Sequence, residues 1–404
     1  MTALRARCCI AGGGPAGMML GLLLARAGVD TVVLEKHADF LRDFRGDTVH
    51  PSTLEVMHEL GLLEEFLQRP HQKVPRIEGQ VGARAIVMAD FSHLPVRCPY
   101  IVLMPQWDFL DFLAKHGKAY PGFRLLMQAE ALDLVEEGGR VAGVRAAAPD
   151  GPLEIRADLT VAADGRHSTL RERARLEVED FGAPMDVLWM RLSKRADDPK
   201  SVLGRLSAGR IFVTLDRGGY WQCAYVIPKG GYEALRKDSF DSFRAGILAV
   251  APFVGERVAE LRGWDDVKLL TVQVNRLRRW HRPGLLCIGD AAHAMSPIGG
   301  VGINLAIQDA VAAANILAAR FAAGPVTEEH LAAVQRRREF ATRMTQRMQL
   351  FLQQRVISRV LSARTTPGIA WPIRLMQVFP MLRRIPARLI GMGFRPEHVR
   401  PGRA

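Results

Sequence analysis

Residues 7–37 read RCCIAGGGPAGMMLGLLLARAGVDTVVLEKH. A short apolar run to about Ala11 has the length of a buried strand, and three glycines with a proline break it. An apolar run at helical period then reaches about Ala27, and Thr31–Leu34 is rich in β-branched residues. This is a strand, helix and strand in succession. Gly12, Gly14 and Gly17 stand in the G-x-G-x-x-G spacing, and Glu35 closes the second strand. The first glycine permits a tight turn, the second leaves room for a pyrophosphate, and the third lets helix and strand pack closely. Unpaired N–H groups at the helix start favour phosphate, and a terminal carboxylate accepts hydrogen bonds from an adenosine ribose. An acid at that position disfavours a 2′-phosphate. The stretch therefore predicts a dinucleotide site for FAD or NAD.

Further along, PSTLEVMHELGLLEEFLQ (51–68) predicts a helix that Pro51 or Ser52 starts, and PQWDFLDFLAKHG (105–117) predicts another. Residues 73–104 alternate short apolar and polar segments, as sheet strands with crossing loops do. RVAGVRAAAPDGPLEIRADLTVAADG (140–165) predicts two strands about an Asp150-Gly151 turn, ending at Asp164-Gly165. Residues 183–275 are strand-rich, with one helix expected near 239–262. The chain then returns with CIGDAAHAMSPIGGVGINLAIQDA (287–310), a strand running through a glycine-rich turn into a long helix.

With 404 residues, 48% of them hydrophobic, the chain can bury a large core and is long enough for two or three domains. Its five cysteines have no metal-site or disulfide spacing, which fits a reducing cytoplasm. No run of about 20 uninterrupted apolar residues is present, and the glycines and proline inside the N-terminal apolar run argue against a secretory signal, so a soluble protein is expected. The net charge of +13 sits in one place. Residues 331–404 hold 15 Arg, no Lys and 2 Glu, and the first 330 residues are balanced. No nucleic-acid-binding motif accompanies that charge. The tail mixes Arg with Met, Leu, Phe and Ile at helical spacing, which suits a helical cap, a homodimer face, or peripheral contact with anionic lipid at the inner face of a membrane.

Three signatures, IAGGGPAG (10–17), VAADGRHSTLRERA (161–174) and CIGDAAHAMSPIGGVGINLAIQDA, occur in an order and rough spacing that resemble the flavoprotein aromatic hydroxylases. These are single-component FAD monooxygenases such as para-hydroxybenzoate hydroxylase and the ubiquinone-biosynthesis hydroxylases. The resemblance covers about residues 7–330. It implies an α/β fold: a Rossmann-like FAD domain (1–72, 97–182 and 276–330), an inserted mostly-β substrate domain (73–96 and 183–275), and a basic helical C-terminal region (331–404). It implies FAD over Gly12, Gly14, Ala16 and Gly17, with Glu35 and Lys36 at the adenosine end. Arg45 would reach the flavin nucleotide, and Gln106 the ribityl and phosphate region. Asp164, with Arg166 and Ser168 in the usual pattern, would serve FAD and the nicotinamide. Asp290 would take ribityl hydroxyls, Pro297 would line the space beside the flavin ring, and Gly302, Ile303 and Asn304 would offer N–H groups to the flavin pyrimidine.

The function so implied is hydroxylation of an aromatic or other electron-rich molecule, or a quinone-like one, with O2 through a flavin C4a-hydroperoxide. NADH or NADPH is the transient reductant, in keeping with the lack of a second G-x-G-x-x-G. No metal is expected. No catalytic residue is assigned; Pro297 and His50 are the nearest candidates, and His293 reads as structural. Trp221, Cys223 and Tyr225 alternate along one strand and are the substrate-pocket candidates. Their YVIP ending resembles part of the W-x-W-x-I-P signature of flavin halogenases, with Cys223 and Tyr225 where tryptophans belong. The competing readings are an FAD-dependent reductase of the isoprenoid-reductase type, a halogenase, and a flavin-binding protein without turnover.

Overall fold

The structure, a computed structural model, describes residues 2–41, 48–199 and 203–400. Strand Thr2–Ala11 lies between Thr31–Glu35 and Gly151–Ala162, parallel to both. Phe123–Met127 continues the parallel set on one side and Leu285–Cys287 on the other. These strands are apolar on both faces because both faces are covered. Cys8 and Ile10 join a core with the helices Pro15–Arg26, Gln106–Gly117 and Gly302–Ala323. Their alternates Cys9 and Ala11 join a second core with the antiparallel strands Glu130–Glu137 and Arg140–Ala148. The expected hairpin at Asp150-Gly151 is present, with Ala148 opposite Gly151.

A second sheet of seven strands contains Arg76–Val81 and Arg84–Asp90 at one end and Met185–Ser193, Leu203–Ser207, Arg210–Asp216, Tyr220–Pro228 and Lys268–Leu270 beyond them. One face is packed under helix Phe240–Val250 and the segment Pro252–Glu260. The single helix expected near 239–262 is thus two pieces. Pro252 cannot donate to the preceding turn, and the second piece is 3-10 with a further break at Gly255, φ +58°. Asp198 fixes that piece: its carboxylate takes two bonds from Arg257 and one, at 2.7 Å, from the Trp221 indole.

Helix Gly302–Ala323 is long and apolar enough to cross a membrane, yet 72% of its most apolar window is buried in the core. Helix Glu328–Leu352 lies against it. The chain then makes two short helices, Trp371–Val378 and Arg384–Gly391, along the edge strand Arg84–Asp90. Gln377 pairs with that edge as a strand residue would, accepting from Val87 N–H (3.1 Å) and donating to Val87 O (3.0 Å). Residues 390–400 return across the first sheet's helices. Glu397 binds Arg337 and Arg338, and the Val399 N–H bonds Glu59.

Candidate active site

Register brings the three motifs together. Ala11 is paired with Leu34 on one side and Ala162 on the other, and Ala162 is paired with Cys287. The residues after them, Gly12, Glu35, Ala163-Asp164 and Ile288-Gly289-Asp290, therefore leave one carboxyl edge of the parallel sheet in a row. Ligands of open α/β sheets bind at such an edge. Gly12 has φ +107°, and a Cβ there would lie 2.3 Å from Ala163 O; one on Gly17 would lie 1.9 Å from Gly12 O. Turn and helix thus close on each other only without side chains. Gly14 differs, because a Cβ on it would meet nothing within 4 Å. Gly14 caps helix Pro15–Arg26 without any side-chain bond, so the helix N–H groups face that open space. Glu35 accepts from the N–H groups of Gly13 and His37, both at 3.1 Å. Ala16 is buried, and Lys36 is exposed, 4.0 Å from Glu130. Arg45 lies outside the described residues.

The second and third motifs are stitched to one another. Arg171 donates to Ala291 O (3.2 Å) and to Arg166 O (2.8 Å), and Arg166 stands 3.4 Å from the Asp290 carboxylate. Asp290 keeps 31% of its side chain exposed, so its oxygens remain available to a ligand. Asp164 is committed to its own loop, accepting from the Ser168 hydroxyl and, at 3.2 Å, from Leu170 N–H. Burial raises its carboxyl above the ordinary carboxylate range despite those bonds. His293 is buried, with Nε2 2.6 Å from Asp309. Asp309 also accepts from Gly289 N–H (3.1 Å) and Arg338 Nε (2.9 Å). Burial opposes its ionisation, but His293 and Arg338 outweigh that and hold it below the usual range. His293 is thus scaffold beneath the glycine-aspartate loop.

The turn before helix Gly302–Ala323 is held from two sides. Gly300 has φ +62°, and a Cβ there would come within 2.3 Å of Thr48 Oγ1, which donates to Gly300 O. Gly302 is less constrained: a Cβ would meet nothing closer than Met295 at 3.8 Å. The Asn304 side chain uses its full bonding capacity. It accepts from His50 N–H and the Thr53 hydroxyl at 2.8 Å each, and donates to Thr48 O and Gly300 O. No side chain caps the helix, and Ile303 packs against the first core. Leu103 pairs with Thr48, so the helix that Gln106 opens begins near this turn.

From the other side, Gln346, Gln349 and Gln353 form a ladder. Gln346 donates to Ala294 O. Gln349 donates to the carbonyls of Ser296 and Ile298 at 2.9 Å, and Gln353 donates to Ser296 Oγ. The ladder clamps the backbone on both sides of Pro297. His50 is fully buried and donates from Nδ1 to Ile390 O at 2.8 Å; burial lowers its pKa to about 4, so it is neutral. Behind the turn, a cavity of about 30 Å³, room for one or two waters, is lined by Val301, Asn304, Ile390 and Gln308, whose buried Nε2 has no protein partner among the described residues.

Trp221, Cys223 and Tyr225, readable from the sequence as pocket lining or as sheet packing, are packed in the sheet's core. All three turn into the core beneath helix Phe240–Val250, where Trp221 packs on Phe253 and Tyr225 on Phe243. With a period of two, the opposite face belongs to their neighbours. Ala224 and Val226, with Val187, Ile211 and Val213, pack against Ile298, one residue after Pro297. Core packing accounts for the aromatic character of 221–225. The opposite face is a buried cluster that also holds Trp189, opposite Ala224, and is covered by Ile357, Val360 and Leu361 as well as Ile298.

The open cradle at Gly14, the accessible Asp290 and the uncapped helix start at Gly302 lie along one carboxyl edge of the sheet and offer N–H groups and a carboxylate of the kind that hold a dinucleotide. Such an edge defines a dinucleotide-binding enzyme. The chain belongs to the FAD-binding-domain family, whose sequence profile matches residues 5–348. It is 34% identical over 385 residues to the 6-methylpretetramide 4-monooxygenase of Streptomyces rimosus, covering 93% of this chain and 91% of that protein. It is 30% identical over 312 residues to the 12-dehydrotetracycline 5-monooxygenase/anhydrotetracycline 6-monooxygenase of Streptomyces rimosus subsp. rimosus, covering 75% of this chain and 60% of that protein. In fold it is similar to PqsL, a probable FAD-dependent monooxygenase of Pseudomonas aeruginosa, with a TM-score of 0.74, 23% identity, and coverage of 88% of this chain and 97% of that one. The chain is an FAD-dependent monooxygenase of the aromatic-hydroxylase kind that uses NAD(P)H, O2 and an aromatic small molecule; the reductase and halogenase readings give way to it.

Proposed function

We propose that this enzyme hydroxylates a multi-ring phenolic substrate of the pretetramide kind, bound beside the Ser296–Gly302 turn. The observation that carries the reading is the 34% identity over 385 residues to the 6-methylpretetramide 4-monooxygenase. Behind the turn, Ile298 packs on Val187, Ala224 and Val226, an apolar backing that keeps water from the reacting edge. When bound, FAD supplies acceptance of a hydride from NAD(P)H and activation of O2. In this assignment Gly12, Gly14, Gly17 and the following helix start hold the pyrophosphate, Glu35 the ribose and Asp290 the ribityl chain. The uncapped N–H groups at Gly302 and Ile303 favour negative charge on the ring edge they face. His50, neutral and buried, adds no charge to the site, and none of the residues assigned here serves as a base. The five buried, free cysteines support a reducing, cytoplasmic setting.

The test is NAD(P)H oxidation by FAD-loaded enzyme across multi-ring phenols, single-ring phenols and N-heterocycles. Multi-ring phenols stimulate oxidation and yield hydroxylated product. Stimulation by single-ring phenols to the same extent would overturn the substrate class.

A further inference from the structure

Six apolar side chains stand in water on the C-terminal helices: Trp371, Leu375, Val378, Phe379, Met381 and Ile385. Trp371 is 74% exposed, Met381 71% and Val378 70%, values foreign to a core-forming element. Trp371, Leu375 and Val378 follow i, i+4, i+7 spacing and so form one face of their helix, which buries no residue. Gln377, elsewhere on that helix, bonds the edge strand at Val87, so the helix is anchored and its apolar face is left over. On the next helix Ala387 is buried against Phe91 and Leu94, whereas Arg384, Ile385 and Arg388 are exposed.

The charge around this face has one sign. Residues 340–396 contain ten Arg and no Asp, Glu or Lys. Arg336, Arg337, Arg338 and Arg343 each have a carboxylate partner. Among the described residues, Arg355, Arg359, Arg364, Arg374, Arg384 and Arg388 form no ion pair with one. The Arg374 side chain donates to a carbonyl, Ile369 O at 2.8 Å. The patch also lies beyond the residues that the FAD-binding-domain profile matches.

We infer that this face docks the enzyme on an anionic lipid surface, with Trp371, Val378, Phe379, Met381 and Ile385 entering the headgroup boundary and the unpaired arginines meeting lipid phosphates. A layer that is acidic outside and apolar beneath satisfies both halves of the patch. A second copy of the chain does not. A twofold contact sets a surface against itself, and here that would oppose arginine to arginine with no acid to intervene. A polyanion without an apolar layer would engage the arginines and leave Trp371 and Met381 in water. Docking would place an enzyme for a flat apolar ring system at the phase in which such molecules concentrate. The inference does not rest on that substrate class.

FAD-loaded enzyme is floated with phosphatidylcholine vesicles with and without phosphatidylglycerol, at low and high salt. Wild-type protein floats with the anionic vesicles alone, and salt weakens the association. Trp371→Ser with Phe379→Ser, and separately Arg374→Gln with Arg384→Gln, each weaken binding by about tenfold or more and leave FAD content and substrate-stimulated NAD(P)H oxidation in solution unchanged. Equal flotation with neutral vesicles, or unaltered flotation of both variants, overturns the inference. So does light scattering that finds a dimer which the Trp371/Phe379 variant splits, because the face would then belong to a second copy.

Discussion

At the residue scale, Asn304 and His50 carry more than their positions suggest. Asn304 satisfies two acceptors and two donors from the 48–53 and 300 backbone and side chains with one amide. Asn304→Ala removes the partner of the His50 N–H, the Thr53 hydroxyl and Thr48 O, and leaves Gly300 O bonded to the Thr48 hydroxyl, at a cost of about 2–4 kcal/mol. Urea unfolding of the variant checks the cost, and FAD titration should find weaker binding because the turn loses its tie to the 50–53 segment. His50 has a folded pKa of about 4 against an ordinary 6.5. The unfolded chain therefore binds a proton between those values that the folded chain refuses. The stabilisation is complete above pH ~6.5 and fades as pH falls towards ~4, by roughly 3 kcal/mol. Urea midpoints measured from pH 7 to 4.5 should show that slope, and His50→Gln should flatten it. Asp198 and Asp309 are held below the usual carboxylate range, so their contribution is lost only at lower pH.

At the element scale, face and partner decide function. On strand Tyr220–Pro228 the odd residues 221, 223 and 225 belong to one core, and Ala224 and Val226 to a second that reaches Ile298. Ala224→Leu overpacks the cluster behind Ile298, and should cost about 1–3 kcal/mol and raise KM for the aromatic substrate. Cys223→Ala should cost about 1–2 kcal/mol of stability and leave KM alone; the reverse pattern would place the site on the other face. Asp198→Asn removes half of a buried ion pair and should destabilise the protein by about 3–5 kcal/mol in thermal or urea unfolding. Gln349→Leu removes the clamp on Ser296 and Ile298, and should change the absorption spectrum of bound flavin more than the melting temperature. The alternation of Trp221, Cys223 and Tyr225 is legible in the sequence, but which face they occupy is not. That depends on where the helix at 240 packs, and a period of two serves either face equally. The glutamine ladder is legible only as i, i+3, i+7 spacing, because its partners lie about 50 residues away.

At the scale of the whole molecule, the three motifs are legible because each is local. A glycine turn, an Asp-Gly after a strand and a Gly-Asp before a helix each have a conformation that nearby residues fix. Their convergence is a matter of register, Ala11 with Ala162 and Ala162 with Cys287, which composition and period do not reveal. The C-terminal region is the least legible part. Its arginines read as one basic tail, yet Arg338 is buried under Asp309, glutamines of the same helix hold the turn around Pro297, and Arg374, Arg384 and Arg388 of the later helices are exposed. Charge totals do not distinguish a cation that closes a core from one that meets a surface; the carboxylates at 309 and 397 do.

Monooxygenation at the edge formed by Gly12, Asp164, Asp290 and Gly302 is tested by mass spectrometry of the product formed by FAD-loaded enzyme with NAD(P)H, a multi-ring phenol and heavy-isotope-labelled O2. Each molecule of hydroxylated product should carry one labelled oxygen atom. Consumption of NAD(P)H with no label in any organic product would rule monooxygenation out.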